Sequence, residues 1–375
     1  MFSENRKISS RQAAALFQAD WLGRLLLFFP LLVRGKSGTA VLTGGFLGLL
    51  LTAGLLGIFC TGAREGEQDY YGYVCRAAGR LYGNCLYLVY FLYFLLQTGI
   101  LLYLCSEAAR LYLLPDVSIW VLPLLPGITG LYLAGGGMEV RGRLSQMLAG
   151  FVGILLFLLL IVSLFQIKGG KLFRQPEAAP SEVICAAALW AGSFGDLGIL
   201  PVVLSVTQRE KGWQRRLYQT LFFSDILLIL FFLSGYGIFG QAGMGRLEWP
   251  ILSLMSTSKL HGVFFQRWDV LAAGLLMVSL FLSAGSGLYY LGLAGTCLLG
   301  RKQGSKGERK KRLVLAGGFL AAYGLSLILQ IRQGGSRAAG RICCFLLAPL
   351  MMVLVLLVRP VQRIRWKKRR AKWKQ

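Results

Sequence analysis

The sequence predicts an all-α integral membrane protein with ten transmembrane helices, and three observations carry the prediction. Hydrophobic residues make up 55% of the 375-residue chain, and the mean hydropathy is +0.60. The apolar runs are continuous rather than alternating with a period of two, which favours helices over a barrel. They also recur along the whole chain, each long enough to supply the roughly 20 helical residues that cross a bilayer. A water-soluble core of this size cannot hide so much apolar surface, so lipid is the solvent.

The spans fall at about 12–33, 38–60, 81–105, 117–136, 145–167, 183–206, 217–240, 269–299, 313–331 and 341–358. No linker separates soluble domains. Residues 1–358 therefore read as one membrane domain and 359–375 as a basic cytoplasmic tail. The first apolar run is long, and Arg34-Gly35-Lys36 after it is a poor cleavage site, so this span is expected to stay in the mature chain.

In the first span, Asp20, Trp21, Gly23 and Arg24 interrupt the apolar pattern. The second carries Gly44, Gly45, Gly48, Gly54 and Gly57, small residues that permit close helix approach. In the third, Tyr90, Tyr93 and Gln97 follow i, i+3, i+7 spacing and share one face, which should turn to the bundle interior as pocket lining or as interhelical hydrogen bonds. The sixth repeats the interruption with Ser193, Phe194, Gly195, Asp196 and Gly198. Asp225, in the seventh, is expected to snorkel to water. Between spans seven and eight, 241–268 contains a short amphipathic stretch opened by Trp249-Pro250 and is expected to form an external helix. The eighth holds five small or hydroxylated residues, Ser283 to Gly287, which would suit packing or a ligand equally.

Net charge is +25. With the N-terminus inside, 28 basic residues face the cytoplasm and 12 face out, besides Arg24 within a span. This bias places both termini in the cytoplasm. The run from Arg363 to Arg370 reads as a juxtamembrane segment attracted to anionic lipid, and not as a nucleic-acid site. Eight cysteines without CxxC spacing and a single histidine, His261, argue against a metal site, and no cofactor is expected. A nucleophile with a histidine in reach, a Walker loop and a dinucleotide fingerprint are all missing, so the chain does not read as an enzyme.

Charge buried in a span marks a functional site. Interruptions in spans one and six occupy corresponding places if the spans form inverted repeats of five, and broken helices expose peptide donors and acceptors there. The candidate ligand site is therefore Asp20, Trp21, Gly23, Arg24, Tyr93, Gln97, Ser193, Phe194, Gly195, Asp196, Ser283 and Ser286. In one reading Arg24 takes a substrate carboxylate, while Asp196 or the carbonyls around Ser193 to Gly195 take its amino group. In the other, Arg24 is neutralised within the protein by Asp20 or Asp196.

Four stretches resemble a known family: Lys7 to Gln12, Met138 to Arg143, Phe194 to Pro201, and Trp249-Pro250 through Phe264 to Asp269. In this order they are similar to the GerAB-type spore germination permeases, B subunits of nutrient germinant receptors. The resemblance implies the amino acid–polyamine–organocation superfamily fold, a five-plus-five inverted repeat with interrupted first and sixth helices. It also implies sensing of a small nutrient, an amino acid first of all, in the spore inner membrane together with germinant receptor A and C subunits. The chain departs from the family's pattern in carrying Asp20 and Arg24 in its first span. A secondary amino acid transporter and a water or ion conduit are the alternative functions.

Overall fold

The computed structural model describes residues 7–62, 70–167, 178–257, 268–300, 305–332 and 335–372. Helix α1, Ser10–Leu32, begins on a capping box. Ser9 Oγ accepts the Gln12 amide N–H at 3.2 Å and Gln12 Oε1 accepts that of Ser9 at 2.9 Å, which fixes where the first span starts. Then follow α2 (Gly38–Gly62), α3 (Tyr70–Ala77), α4 (Arg80–Tyr112), α5 (Leu124–Gly135) and α6 (Gly137–Leu164). The sixth span is broken. Helix α7 (Pro180–Ser193) gives way to a 3₁₀ segment, Gly195–Ile199, and then to the short α8, Leu200–Ser205. The two halves meet at a bend of 46°.

The second half continues with α9 (Trp213–Arg246), α10 (Pro250–Thr257), α11 (Trp268–Leu298) and α12 (Ser305–Ile331). It closes with α13 (Gly335–Ile342), a π turn at Cys343–Leu347 and α14 (Ala348–Lys372). Helix α10 starts at Pro250, as the sequence predicts. His261 and Phe264 to Arg267 lie outside the described residues. Among the described residues eight helices are long and apolar enough to span, or nine when the bent pair counts as one. The fourth predicted span is only the twelve-residue α5, about 18 Å long.

A two-residue parallel bridge, β1 (Ile8–Ser9) with β2 (Thr207–Gln208), joins the start of α1 to the end of α8. The broken span therefore runs antiparallel to α1, as inverted repeats require. Beside the bridge, Glu210 accepts from Ser10 Oγ at 3.2 Å and from Arg216 at 2.6 Å. Those two donors hold the Glu210 carboxyl below the usual glutamate range. Helix α1 is central, with 89% of its apolar window buried against 28% for α12. Outward faces of α2, α6 and α12 show Phe46, Leu50, Phe151, Ile154 and Leu320, the apolar coat that lipid demands.

The second-span glycines are packing devices. A Cβ on Gly44 would lie 2.7 Å from Ala186 Cβ and 2.9 Å from the Val183 carbonyl, and one on Gly48 would lie 2.6 Å from Trp190 Cβ. Thus α2 lies directly on α7. Gly54 has open space around it. The indole of Trp190 donates to Asp225 Oδ1 at 2.6 Å, and Asp225 is only 1% exposed. This corrects the snorkelling expectation. The carboxylate is turned inward because α7 supplies a donor that bulk water would otherwise have to supply.

Gly44→Ala should lower stability by about 1–3 kcal/mol through overpacking, whereas Gly54→Ala should be neutral or stabilising by up to about 1 kcal/mol on helix propensity. Thermal melts of the two purified variants check the contrast. Trp190→Phe should cost about 1–3 kcal/mol by leaving the buried Asp225 without its donor, and combination with Asp225→Leu should recover part of that loss in the same assay.

Candidate ligand site at the broken sixth span

The break after Ser193 sets the geometry. Phe194, at φ −90° and ψ 23°, ends α7, and the chain tightens into the 3₁₀ turn that carries Asp196. One guanidinium then reaches both sides of the break. Arg24 Nη2 donates to the Ser193 carbonyl at 2.7 Å, and Nη1 pairs with Asp196 Oδ2 at 2.7 Å. A cation at the C-terminal end of α7 is favoured by the helix dipole as well as by the carboxylate. Arg24 and Asp196 are buried, at 7% and 2% exposure.

Helix α4 completes the coordination of Asp196. Tyr93 donates its hydroxyl to Oδ1 at 3.0 Å, Gln97 Nε2 reaches Oδ2 at 3.4 Å, and Tyr90 donates to the Gly198 carbonyl at 2.8 Å. The face predicted for the third span thus serves interhelical hydrogen bonding to the broken segment. Gly195 permits that approach, since a Cβ there would sit 2.5 Å from the Tyr93 hydroxyl. Trp21 and Phe194 meet edge to face with ring centroids 5.1 Å apart.

The first span does not unwind. Helix α1 is helical throughout, and its expected interruption shrinks to one point. There the Gly23 N–H donates to Ser279 Oγ at 2.8 Å, and Ser279 Oγ donates to the Ala19 carbonyl at 2.7 Å. Ser283 adds a second donor to the same carbonyl at 3.0 Å. A hydroxyl of α11 therefore stands between the two groups that an ordinary helical turn would pair, and by satisfying both it removes any need for the backbone to open. A Cβ on Gly23 would approach the Leu276 carbonyl at 3.0 Å, so the glycine serves contact with α11.

Asp20 does not pair with Arg24. It is buried with Oδ1 lacking a hydrogen-bond partner, and it lies within electrostatic reach of Arg141, Arg24 and Asp196. Arg141 is the residue that sequence reasoning missed, because it precedes the fifth span predicted at 145–167. Helix α6 starts at Gly137, eight residues before the predicted fifth span, and carries Arg141 inside. Its guanidinium is 2% exposed, donates to Ser286 at 2.6 Å, and lies 4.6 Å and 4.9 Å from the ring centroids of Tyr289 and Tyr290. Its neighbour Arg143 does reach solvent, paired with Glu139 one turn back at 2.5 Å. The small residues of α11 are occupied too: Gly285 packs on Leu133 of α5, and Gly287 on Thr98 of α4.

A small cavity of about 20 Å³ adjoins the ion pair, lined among others by Arg24, Tyr93, Gln97, Ser193, Cys343 and Cys344. That volume suits about one water, not an amino acid. Two of its lining groups have buried polar atoms without a hydrogen-bond partner, the Arg24 Nε donor and the Gln97 Oε1 acceptor. Both cysteines reach the site through the π turn, an element often found at functional sites. The Cys344 carbonyl lies 2.5 Å from where a Gly192 Cβ would be.

Comparison with known proteins agrees with this architecture. Among solved structures the chain is similar to a Na+-coupled sialic acid symporter in a substrate-bound outward-open state, with a TM-score of 0.67, 13% identity, and 94% of this chain and 78% of the other covered. It is similar to MhsT in complex with L-phenylalanine, with a TM-score of 0.62, 16% identity, and 93% and 88% covered. Both likenesses establish the transporter fold. Spore germination protein YndE of Bacillus subtilis (strain 168) is 22% identical over 288 residues, spanning 75% of this chain and 78% of that protein. The family described as "Spore germination protein" matches residues 7–330, and the chain belongs to that family of multi-pass membrane proteins.

Proposed function

We propose that this protein is the B subunit of a spore germination receptor, that it binds a small zwitterionic nutrient, an amino acid, between α1, α4, the broken sixth span and α11, and that binding shifts the bundle to signal germination. Membership of the family supports the germination role. The observation that carries the ligand class is the buried Arg24–Asp196 pair, with an unpartnered donor on Arg24 and an unpartnered acceptor on Gln97 lining one cavity.

The chemistry follows from charge balance. Separating a buried pair by removing one partner costs about 3–5 kcal/mol, because the other charge is stranded. A lone anion would strand Asp196, and a lone cation would strand Arg24. A zwitterion strands neither: its carboxylate replaces Asp196 on Arg24, and its ammonium takes Asp196 and Gln97 Oε1. The cavity is too small for this exchange unless α1 and the neighbouring helices part, so ligand binding and bundle rearrangement are one event. A ligand can shift a two-state bundle only by its differential affinity for the two states, and that is the property a receptor subunit needs.

On this reading the protein lies in the spore inner membrane with both termini in the cytoplasm, and germinant receptor A and C subunits receive the signal. The basic tail at the end of α14 sits against anionic lipid.

Arg24→Ala and Asp196→Asn should each abolish the germination response to nutrient while leaving membrane insertion intact; a wild-type dose response in both would refute the site. For the purified protein, a matched set of L-alanine, propionate and ethylamine should show a rise in melting temperature with the zwitterion alone. At about 100 times Kd the stabilisation should reach about 2.7 kcal/mol. Uptake of labelled amino acid from outside into proteoliposomes tests the transporter alternative, since the receptor reading expects no net accumulation.

A further inference from the structure

A second cavity lies away from the ion pair, at the end of the bundle opposite the β1–β2 bridge. It has a volume of about 210 Å³ and is lined by residues of three segments: the C-terminal end of α1 and the turn after it, the last turns of α9, and Pro250 at the start of α10. Its shape depends on Gly240. That residue has a φ of +70° inside α9, a conformation that glycine adopts without steric penalty, and it redirects 241–246 across the end of α1. Arg34 fastens this arrangement by donating to the Gly245 carbonyl at 2.6 Å and the Arg246 carbonyl at 3.0 Å.

The lining has three distinct characters. One wall is aromatic, with Phe232 and Tyr236 stacked at 5.8 Å. Arg34 and Lys36 make another wall positive, and no acidic side chain lines the cavity. Arg34 already spends its fork on two carbonyls, whereas the Lys36 ammonium has no hydrogen bond or ion pair among the described residues. Gln241 lines the same cavity, and its buried Oε1 has no partner.

We propose that this cavity is a second, outer binding site for a small carboxylate with a ring-sized apolar body, with the carboxylate on Lys36 and the body against Phe232 and Tyr236. Size supports the class, because a cavity of roughly 150 Å³ takes benzene, leaving room here for one charged group. Charge supports it as well. A single free ammonium matches a monoanion, while a dianionic phosphate favours the forked donors of an uncommitted arginine. The site is independent of the Arg24–Asp196 reading and stands if that reading fails.

The test uses the full-length protein in phosphatidylcholine nanodiscs and follows binding of 4-fluorobenzoate by fluorine NMR. Saturable binding is expected, weakened about tenfold by Lys36→Gln, largely restored in Lys36→Arg, and eliminated by Ala242→Trp, which fills the cavity from an exposed position. Arg24→Gln should leave it unchanged, and neutral 4-fluorobenzyl alcohol should bind at least tenfold more weakly. No saturable binding, equal binding by Lys36→Gln with an unchanged melting temperature, loss in Arg24→Gln, or equal binding of the alcohol would each overturn the proposal. Displacement of the benzoate by phosphatidylglycerol added to the disc would overturn it too, by assigning the site to a lipid phosphate.

Discussion

The ion pair between Arg24 and Asp196 is the constraint from which the rest of the bundle's centre follows. A guanidinium in a low-dielectric interior must have its charge and its N–H groups satisfied at once. The break at Phe194 meets the charge and both Nη groups, by turning the Ser193 carbonyl and the Asp196 carboxylate toward the same side chain, and leaves Nε without a partner. Had α7 continued as a regular helix, the Ser193 carbonyl would be committed to its own ladder. The carboxylate in turn needs donors, and Tyr93 and Gln97 bring α4 into the arrangement. One charge thus ties three elements together, without adding much net stability over an apolar core.

Four ionisable residues are buried at the centre: Arg24, Asp196, Asp20 and Arg141. Helix α1 contributes one acidic and one basic residue. Arg24 faces the broken span, while Asp20 lies within electrostatic reach of Arg141 of α6, which donates to Ser286. Between these two residues lies the point where α11 hydroxyls grip the Ala19 carbonyl and the Gly23 N–H. A displacement of α1 would therefore disturb both clusters and the hydroxyl grip together. Packed and hydrogen-bonded elements of this kind have discrete arrangements rather than a continuous range.

Much of this was legible in the sequence, for physical reasons that differ by residue. Arg24 and Asp196 stood out because charge in an apolar run is costly, and their pairing was one of two readings kept open. Glycines on both sides of Asp196 marked the break correctly. The same logic failed for Gly23, where a serine one helix away repairs the turn, and no property of the first span alone could reveal that repair. Asp225 was misplaced for the same reason, since its donor is the indole of Trp190, 35 positions earlier in the chain. Arg141 was hidden by the habit of starting a span at its first long apolar run. Helix α6 starts two turns sooner, and the spacing of Met138, Arg141 and Ser145 along one buried face was the signal that could have found it.

The outer cavity and the central site pose opposite packing problems, and the difference bears on how a ligand could act. At the centre every large side chain is closely packed and the free volume is about 20 Å³, so any occupant must move helices. At the outer end about 210 Å³ is already shaped by a kink and an arginine clamp, so an occupant could be held with little rearrangement. A ligand that binds both states of the bundle equally shifts no equilibrium, however tight it is. On the proposed function it is the central exchange, in which an ammonium and a carboxylate replace Arg24 and Asp196 as each other's partners, that would couple recognition to a change of state. A bundle built around a closed ion pair is for that reason better suited to reporting a ligand than one built around an open pocket.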